Sequence, residues 1–265
     1  MSDKTGKTPL MTIKNVSLIY DGSGGASETE ALADVNLDIY KGDFITVLGP
    51  SGCGKSSLLN LMAGLIKLKI GEIKMNGQPV TGVNRERAVV FQVPTLYPWL
   101  SVRDNVAFGP DIRGEAKEVS GPKVDEYLKL VGLYDFADVK PYELSGGMRQ
   151  RAALARSLVN EPSMILLDEP FGALDAFTRN SMQELIRNIW KDKGSTIFLI
   201  THDVDEALTL GSRIVTMSAR PGRIMKEVEA DFTERIYGGD EDVRYEKEYV
   251  ALRKELLALV GHGQS

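Results

Sequence analysis

The chain has 265 residues, of which 43% are hydrophobic and 26% are charged, and its formal net charge is −5. This composition predicts a folded globular protein of one large domain and excludes disorder as the dominant state. The acidic balance argues against a general nucleic-acid-binding surface. The longest apolar runs, such as residues 88–91 and 164–167, are far shorter than the roughly 18–20 residues of a membrane-spanning helix.

Cysteine and histidine are scarce. The one cysteine, Cys53, excludes an intrachain disulfide and argues against a cysteine-based metal cluster. The two histidines, His202 and His262, argue against a histidine-rich metal site, and we assign no role to His262 in its polar tail. The first ten residues are polar, so we expect no signal peptide and a cytoplasmic chain.

The first half of the sequence begins with strand patterns. Imperfect alternation over residues 12–20 predicts a strand, and the Gly- and Ser-rich residues 21–25 predict a turn. Clean alternation over residues 35–39 predicts a half-buried strand. The apolar run at residues 44–48 predicts a strand buried on both faces. Apolar residues at helical spacing follow over residues 58–65.

Further along the chain, helices alternate with strands, which favours an α/β protein with a largely parallel sheet. Residues 101–142 carry short helical patterns and no strand pattern, which predicts an inserted helical subdomain. The other predicted elements are strands at residues 164–167, 196–200, 213–217 and 223–228, and helices at residues 145–159 (with Ser145 as N-cap), 177–191 and 243–260.

Residues 49–56 match the pattern G-x-x-x-x-G-K-[ST] between a predicted strand and a predicted helix. Glycines let backbone N–H groups surround phosphate oxygens, Lys55 places a cation on the β and γ phosphates, and the Ser56 hydroxyl is a ligand for Mg²⁺. The alternative is a Gly-rich turn that binds nothing. Phosphoryl transfer needs no thiol, so we expect no catalytic role for Cys53. The predicted phosphate-binding residues are Gly49, Pro50, Ser51, Gly52, Cys53, Gly54, Lys55, Ser56 and Ser57.

Two carboxylates follow the apolar residues 164–167. A strand beside a phosphate loop delivers Asp168 to Mg²⁺ and Glu169 to the attacking water, which Glu169 orients or deprotonates. The alternative is a solvated acidic strand end, which is common. The phosphate loop in the same chain favours the metal and water roles of Asp168 and Glu169 over this alternative.

Residues 144–150 read LSGGMRQ before a predicted helix. A hydroxyl, two glycines and a helix N-terminus together form a second anion site. One nucleotide does not need two such sites in one chain. We therefore predict a two-fold dimer in which the Ser145 helix of each chain meets the nucleotide held by Lys55 of the other.

These motifs in this order resemble the ATP-binding subunits of ABC transporters, and the resemblance runs from residue 12 to about residue 232. It implies a P-loop NTPase (RecA-like) α/β core with N-terminal antiparallel strands and an inserted α-helical subdomain. It also implies ATP and Mg²⁺ as cofactors. The expected single domain comprises a nucleotide-binding core at 12–100 and 143–230, the helical subdomain at about 101–142, and a helical extension at 231–265.

The resemblance implies roles for residues outside the loop. Tyr20 stacks on adenine, or is a strand-end aromatic. Gln92 contacts Mg²⁺ and water and senses the membrane partner, or is a polar strand terminus. Asp175 lies at the dimer interface with Gly146 and Gly147, or caps the following helix. His202 binds the γ-phosphate and holds the geometry of Glu169, or is a structural histidine.

Residues 96–100, 171–179 and 220–224 are similar to the nitrate/sulfonate/taurine import group, and other stretches are most similar to taurine importer ATPases. This implies a peripheral protein on the cytoplasmic face of the bacterial inner membrane, with a second copy of itself, transmembrane permease subunits and a separate solute-binding protein as partners, and no nucleic acid. A nitrate importer, an exporter motor and a soluble ABC protein of translation or repair remain alternatives.

Val93 and Tyr97 depart from the residues usual in this import group at the position where a permease docks. Trp99 is either a docking residue or an aromatic of the subdomain core. The C-terminal helix either packs on the core or contacts the dimer partner or the permease.

Overall fold

The computed structural model describes residues 8–21 and 28–261, apart from the side chain of Glu241. The predicted turn beyond Asp21 and His262 lie outside the described residues. The chain forms two compact units: one combines the chain up to Asn84 with the chain from Trp190 onward, and the other is Arg85–Ile189. Among the described residues, no helix combines the length and apolar character needed to cross a membrane.

Strands and helices alternate along most of the chain. The strands are β1 (Met11–Tyr20), β2 (Thr29–Ile39), β3 (Phe44–Leu48), β4 (Ile70–Met75), β5 (Gln78–Pro79), β6 (Arg87–Val90), β7 (Met164–Asp168), β8 (Thr196–Ile200), β9 (Arg213–Met217) and β10 (Ile224–Glu229). The helices are α1 (Lys55–Ala63), α2 (Val102–Ile112), α3 (Lys117–Leu130), α4 (Gly146–Leu158), α5 (Ala176–Lys193), α6 (Val204–Leu210), α7 (Phe232–Tyr237) and α8 (Lys247–Gly261).

The first unit contains an antiparallel sheet with strand order β2-β1-β4-β5. Its alternating apolar positions are buried, as at Ile13, which lies opposite Leu37 of β2 and Ile73 of β4. The predicted N-terminal antiparallel strands are therefore confirmed. Strands β4 and β5 were not predicted: β4 begins with two exposed residues that include Gly71, and β5 has only two residues, both exposed, so neither carries a long alternating pattern.

The same unit contains four strands in the order β10-β9-β3-β8. Strand β3 runs parallel to both neighbours, with Val47 in register with Ile200 of β8 and Val215 of β9. All five residues of β3 are buried, as its continuous apolar run predicts. Because β3 and β8 are parallel and adjacent, the segments that follow them begin at the same edge of the sheet.

The C-terminal helix packs on the first unit. Tyr249 and Leu256 of α8 are buried in a cluster with residues of α6 and α7, and the rings of Tyr249 and Phe232 lie 5.1 Å apart between centroids. The predicted start of this helix at residue 243 is wrong, because α8 begins at Lys247. Val243 is buried from a 3₁₀ turn (Glu241–Tyr245), so its apolar character reflects burial and not helix.

The second unit combines two parallel strands with α2, α3, α4, most of α5 and two short 3₁₀ helices. Strand β6 lies beside β7 with Val90 in register with Leu167, and the predicted helical stretch contains α2 and α3. Ser101 and Asp104 form a capping box at the start of α2. The predicted helix at residues 177–191 is confirmed as α5, and its apolar face is mostly buried. The boundary between the units falls within this helix.

Candidate active site

The segment between β3 and α1 forms a tight loop around the side chain of Lys55. Its Nζ donates to the carbonyl oxygens of Gly49 at 2.7 Å and Pro50 at 3.0 Å. Gly52 and Gly54 have φ angles of +74° and +101°, a left-handed conformation that favours glycine. A Cβ at Gly54 would lie 2.7 Å from the carbonyl oxygen of Ala31, so a larger residue is excluded there.

Helix α1 begins at this loop without a side-chain cap. Gly54 is its N-cap, so no side chain caps the first N–H groups, and its first turn holds no acidic residue. By contrast, α2 and α6 are capped by Ser101 and Asp203. Uncapped N–H groups and the positive end of the helix dipole favour an anion at this position.

Tyr20 and His202 belong to the same unit as the loop. Tyr20 ends β1 with its side chain 43% exposed, and its hydroxyl lies 3.0 Å from Oγ of Ser57. His202 is exposed and follows β8, the strand beside β3. The residues on either side fix its backbone, since Thr201 N–H donates to Val47 at 3.2 Å and Asp203 caps α6.

The turn between β9 and β10 (residues 218–223) packs directly on the loop, a contact that the sequence alone did not indicate. Arg220 donates through Nε at 3.3 Å and Nη2 at 3.2 Å to the carbonyl oxygen of Gly52. A Cβ at Gly222 would lie 2.0 Å from the carbonyl oxygen of Cys53. Gly222 also exchanges backbone hydrogen bonds with β2, at 2.9 Å to Ala31 and 3.0 Å from Ala33.

In the second unit, two predicted residues lie at the end of β7. Asp168 ends the strand and Glu169 comes next, and both are partly buried. Glu169 has a φ of +44°, which is uncommon for a residue with a side chain and is concentrated at functional sites. Gln92 reaches the same turn, because its Nε2 would lie 3.6 Å from a Cβ placed on Gly172.

The LSGGM segment opens helix α4 as predicted. The Ser145 hydroxyl accepts a hydrogen bond from the N–H of Met148 at 3.2 Å, and the first turn contains no acidic residue. Gly147 lies against α5, since a Cβ there would be 2.2 Å from Cγ2 of Thr178. Gly147 therefore allows α4 to pack closely on α5, whereas a Cβ at Gly146 would meet nothing within 4 Å.

Asp175 caps helix α5 through Thr178. Its carboxylate accepts from the backbone N–H of Thr178 at 3.0 Å and from the Thr178 hydroxyl at 2.6 Å. These hydrogen bonds from Thr178 hold the pKa of the Asp175 carboxyl below its ordinary value. Thr178 thus links Asp175 to Gly147, a connection for which the sequence carried no signal.

The segment after Gln92 presents aromatic residues. Tyr97 is partly buried, with its ring 4.4 Å from that of Phe108 between centroids. Trp99 is 69% exposed, so the alternative that it is an aromatic of the subdomain core is wrong. Val93 is 71% exposed. These side chains leave an aromatic and apolar surface beside Gln92.

Each of the two units contains an oxygen donor of a kind that suits Mg²⁺. The described residues contain no group of three or more His, Cys, Asp or Glu side chains able to hold a metal ion alone. Mg²⁺ characteristically takes one or two protein oxygen ligands together with substrate phosphates and waters. The Ser56 hydroxyl on α1 of the first unit is a donor of that kind, and so is the Asp168 carboxylate at the end of β7 in the second unit.

The chain has relatives among known proteins. The family model described as ABC transporter matches residues 32–172. The taurine import ATP-binding protein TauB of Jannaschia sp. (strain CCS1) is 49% identical over 94% of this chain and 93% of its own length. TauB of Roseobacter denitrificans is 48% identical over the same shares.

A solved structure gives the same result. The ATP-binding cassette MJ0796, described as a dimer in a post-hydrolysis state bound to ADP and Pi, has a TM-score of 0.73 and 32% identity, covering 83% of this chain and 98% of its own. The fold is therefore that of a P-loop NTPase with an ABC-type cassette. The chain belongs to the ATP-binding proteins of ABC transporters, and its activity is ATP hydrolysis coupled to transport.

Proposed function

We propose that this chain is the ATP-hydrolysing subunit of an importer for taurine or another small sulfonate. The observation that carries the proposal is the loop of residues 49–56 with its uncapped helix, in a chain 46–49% identical to four taurine import ATP-binding proteins. The solute does not touch this subunit. A permease and a separate solute-binding protein carry it, and this chain acts at the cytoplasmic face of the membrane.

The first unit supplies the groups for nucleotide binding. The backbone of the loop and the N-terminus of α1 take the phosphates, with Lys55 as the neutralising cation. The exposed ring of Tyr20, beside Ser57, stacks on the adenine. Stacking of a base on an aromatic side chain is worth roughly 1–3 kcal/mol.

Hydrolysis requires a group that orients water and groups that stabilise the transferred phosphoryl. Glu169 is the general base or water-positioning carboxylate, and Gln92 and His202 complete the surroundings of the γ-phosphate. Ser56, Asp168 and Gln92 would hold Mg²⁺, which would supply positive charge to the phosphate oxygens when bound. The left-handed backbone of Glu169 supports this role, because such strain is usually retained where a side chain must be aimed.

Two copies of the chain share the nucleotides. Ser145, Gly146 and Gly147 form the N-terminus of α4, which has no acidic residue in its first turn and suits an anion from a second chain. Asp175 lies at the same interface. The dimeric state named for the related cassette supports this arrangement.

ATP drives transport because it binds the closed dimer more tightly than the open one. Binding brings the two chains together and shifts the permease to its other state. Hydrolysis, for which Glu169 orients or deprotonates the water, removes the γ-phosphate. The closed dimer is then no longer favoured over the open one. The exposed surface around Val93 and Trp99 is the part of the chain that we assign to permease contact.

A growth experiment tests the proposal. A host lacking this chain is given taurine as its sole sulfur source and complemented with wild type, Glu169→Gln or Lys55→Ala. We expect rescue by the wild type alone, because both variants stop the ATP cycle. Growth with sulfate as sulfur source serves as the control, and all strains should grow equally on it.

Either of two results would contradict the proposal. Normal growth on taurine without the chain would show that taurine uptake does not require this chain. Rescue by Glu169→Gln or Lys55→Ala would show that the assigned residues do not drive uptake. Nitrate and other sulfonates, tested in the same strains, then identify the cargo.

A further inference from the structure

The phosphate-binding loop is held at three places by groups of its own unit. Lys55 binds the first two carbonyl oxygens of the loop from inside. Gly54 packs against the backbone of Ala31. Between them, the carbonyl oxygen of Gly52 accepts two hydrogen bonds from the guanidinium of Arg220, which reaches it from the turn at residues 218–223.

The position of this guanidinium follows from the backbone of its turn. Gly222 lies against the carbonyl group of Cys53 so closely that no Cβ fits between them. Gly222 also pairs with β2 through backbone hydrogen bonds to Ala31 and Ala33. The Ser218 hydroxyl closes the turn, donating to Pro221 at 2.9 Å and accepting from the N–H of Arg223 at 3.0 Å. The turn is thus fixed on both sides of Arg220.

This contact bears on phosphate binding for two reasons. A loop that presents its N–H groups to an anion must direct its carbonyl oxygens elsewhere, and each of those oxygens needs a donor. A guanidinium supplies two donors to the Gly52 oxygen and also adds a positive charge beside the loop. Fixing a loop in its binding conformation raises affinity, because less ordering is required when the ligand binds.

We propose that Arg220 is a positioning residue for the phosphate-binding loop, which it holds ready for the nucleotide by binding the carbonyl oxygen of Gly52. The proposal rests on the proposed function, because it concerns the affinity of the same loop for nucleotide. It assigns part of that affinity to a turn outside the ATP-binding motifs. Arg220 does not touch the reacting atoms. It therefore governs affinity for nucleotide and leaves the chemical step unchanged.

The test compares three variants of Arg220 with a neighbour. Arg220→Ala removes the hydrogen bonds and the charge, Arg220→Gln keeps one donor group without the charge, and Arg220→Lys keeps the charge with a single donor centre. Arg223→Ala is the matched control, since Arg223 is an exposed arginine of the same turn. The affinities of the full-length chain for ATP and for ADP, both with Mg²⁺, are measured by calorimetry.

We expect Arg220→Ala to raise the dissociation constants of ATP and ADP by the same factor, about three- to tenfold. The factor is shared because the loop holds the phosphates that both nucleotides possess. The KM for ATP should rise in parallel while kcat at saturating ATP stays within about twofold. Arg220→Lys should restore more affinity than Arg220→Gln, and Arg223→Ala should bind as the wild type does.

The stability of the chain without nucleotide distinguishes the proposal from a purely structural role of Arg220. The unfolding temperature without nucleotide should change by less than about 2 °C in Arg220→Ala, because the side chain is exposed. A larger fall in the unfolding temperature without nucleotide, equal to the fall measured with nucleotide bound, would overturn the proposal. Unchanged nucleotide affinity in Arg220→Ala, with a wild type that binds ATP, would overturn it while leaving the proposed function standing. A wild type that binds no ATP would overturn both.

Discussion

The hydroxyl of Tyr20 lies 3.0 Å from Oγ of Ser57, which joins the end of β1 to the first turn of α1. The tyrosine ring itself is 43% exposed, so it forms a face beside the phosphate-binding loop. The two hypotheses for Tyr20, stacking on adenine and a structural role at the end of β1, therefore depend on different parts of the side chain. A stacking residue acts through its ring, whereas a structural strand-end residue acts through its hydrogen bond and packing.

Substitutions at Tyr20 decide between these readings. Tyr20→Phe keeps the ring and removes the bond to Ser57, so we expect ATP affinity within about twofold of the wild type. Tyr20→Ala removes the ring and should raise the dissociation constant about tenfold, in line with the energy of base stacking. Calorimetric titration with ATP measures both. Equal, small effects of the two variants would show that Tyr20 does not stack on the base.

Glu169→Gln should separate binding from hydrolysis. The amide keeps the shape of the side chain and loses the base, so we expect ATP hydrolysis to fall at least about 100-fold while ATP affinity is retained. Gel filtration should show a dimer with ATP and a monomer without it. Glu184→Gln, on the exposed face of α5, is the control and should hydrolyse ATP normally. A monomer at saturating ATP would contradict the shared-site dimer.

The two glycines of LSGGM should differ in their tolerance of alanine. A Cβ at Gly147 would lie 2.2 Å from Cγ2 of Thr178, whereas a Cβ at Gly146 would meet nothing within 4 Å. We therefore expect Gly147→Ala to lower the free energy of unfolding by about 1–3 kcal/mol. Gly146→Ala should leave it unchanged within about 0.5 kcal/mol. Urea unfolding of both variants checks this, and equal stabilities would show that Thr178 does not pack on Gly147.

Helix α8 holds α6 through an ion pair with a predictable dependence on pH. Arg253 donates from Nε at 2.7 Å and Nη2 at 2.8 Å to the two carboxylate oxygens of Asp205. These hydrogen bonds hold the pKa of Asp205 below its ordinary value in the folded state. A depressed carboxyl pKa stabilises the fold above the unfolded pKa of about 3.9, and the contribution is lost as pH falls through the folded value.

Asp205→Asn should therefore lower the free energy of unfolding by about 0.5–1 kcal/mol at pH 7, since the pair is half exposed. The difference from wild type should shrink as the pH falls below about 4. Arg253→Ala and the double variant should lose the same amount as Asp205→Asn, because each breaks the same pair. Denaturant unfolding at several pH values measures these differences, and additive losses would refute the coupling.

Local patterns in the sequence were sufficient to predict the elements that carry the phosphate-binding chemistry. Strand β3 is an uninterrupted apolar run, and the loop after it has glycines at positions that need a left-handed backbone. Ser145 was predicted as an N-cap because a hydroxyl before a helical pattern satisfies the first N–H groups. These features depend on residues close together in the chain.

Contacts between distant segments could not be predicted in the same way. The bond from Arg220 to Gly52 joins residues 168 positions apart, and nothing in the Arg-Pro-Gly-Arg turn indicates which carbonyl it meets. Thr178 against Gly147 is a second example, since side-chain packing depends on how helices cross. The early start predicted for α8 has the same origin, because Val243 is buried by tertiary contacts from a 3₁₀ turn.

The most direct test of the account is the uptake of radiolabelled taurine by cells that lack this chain and carry either wild type or Glu169→Gln. We predict uptake with the wild type that stops when cellular ATP is depleted, and none with Glu169→Gln despite equal amounts of protein. Uptake by the Glu169→Gln strain at the wild-type rate, or none by the wild-type strain, would contradict the claim that this chain drives sulfonate import by hydrolysing ATP.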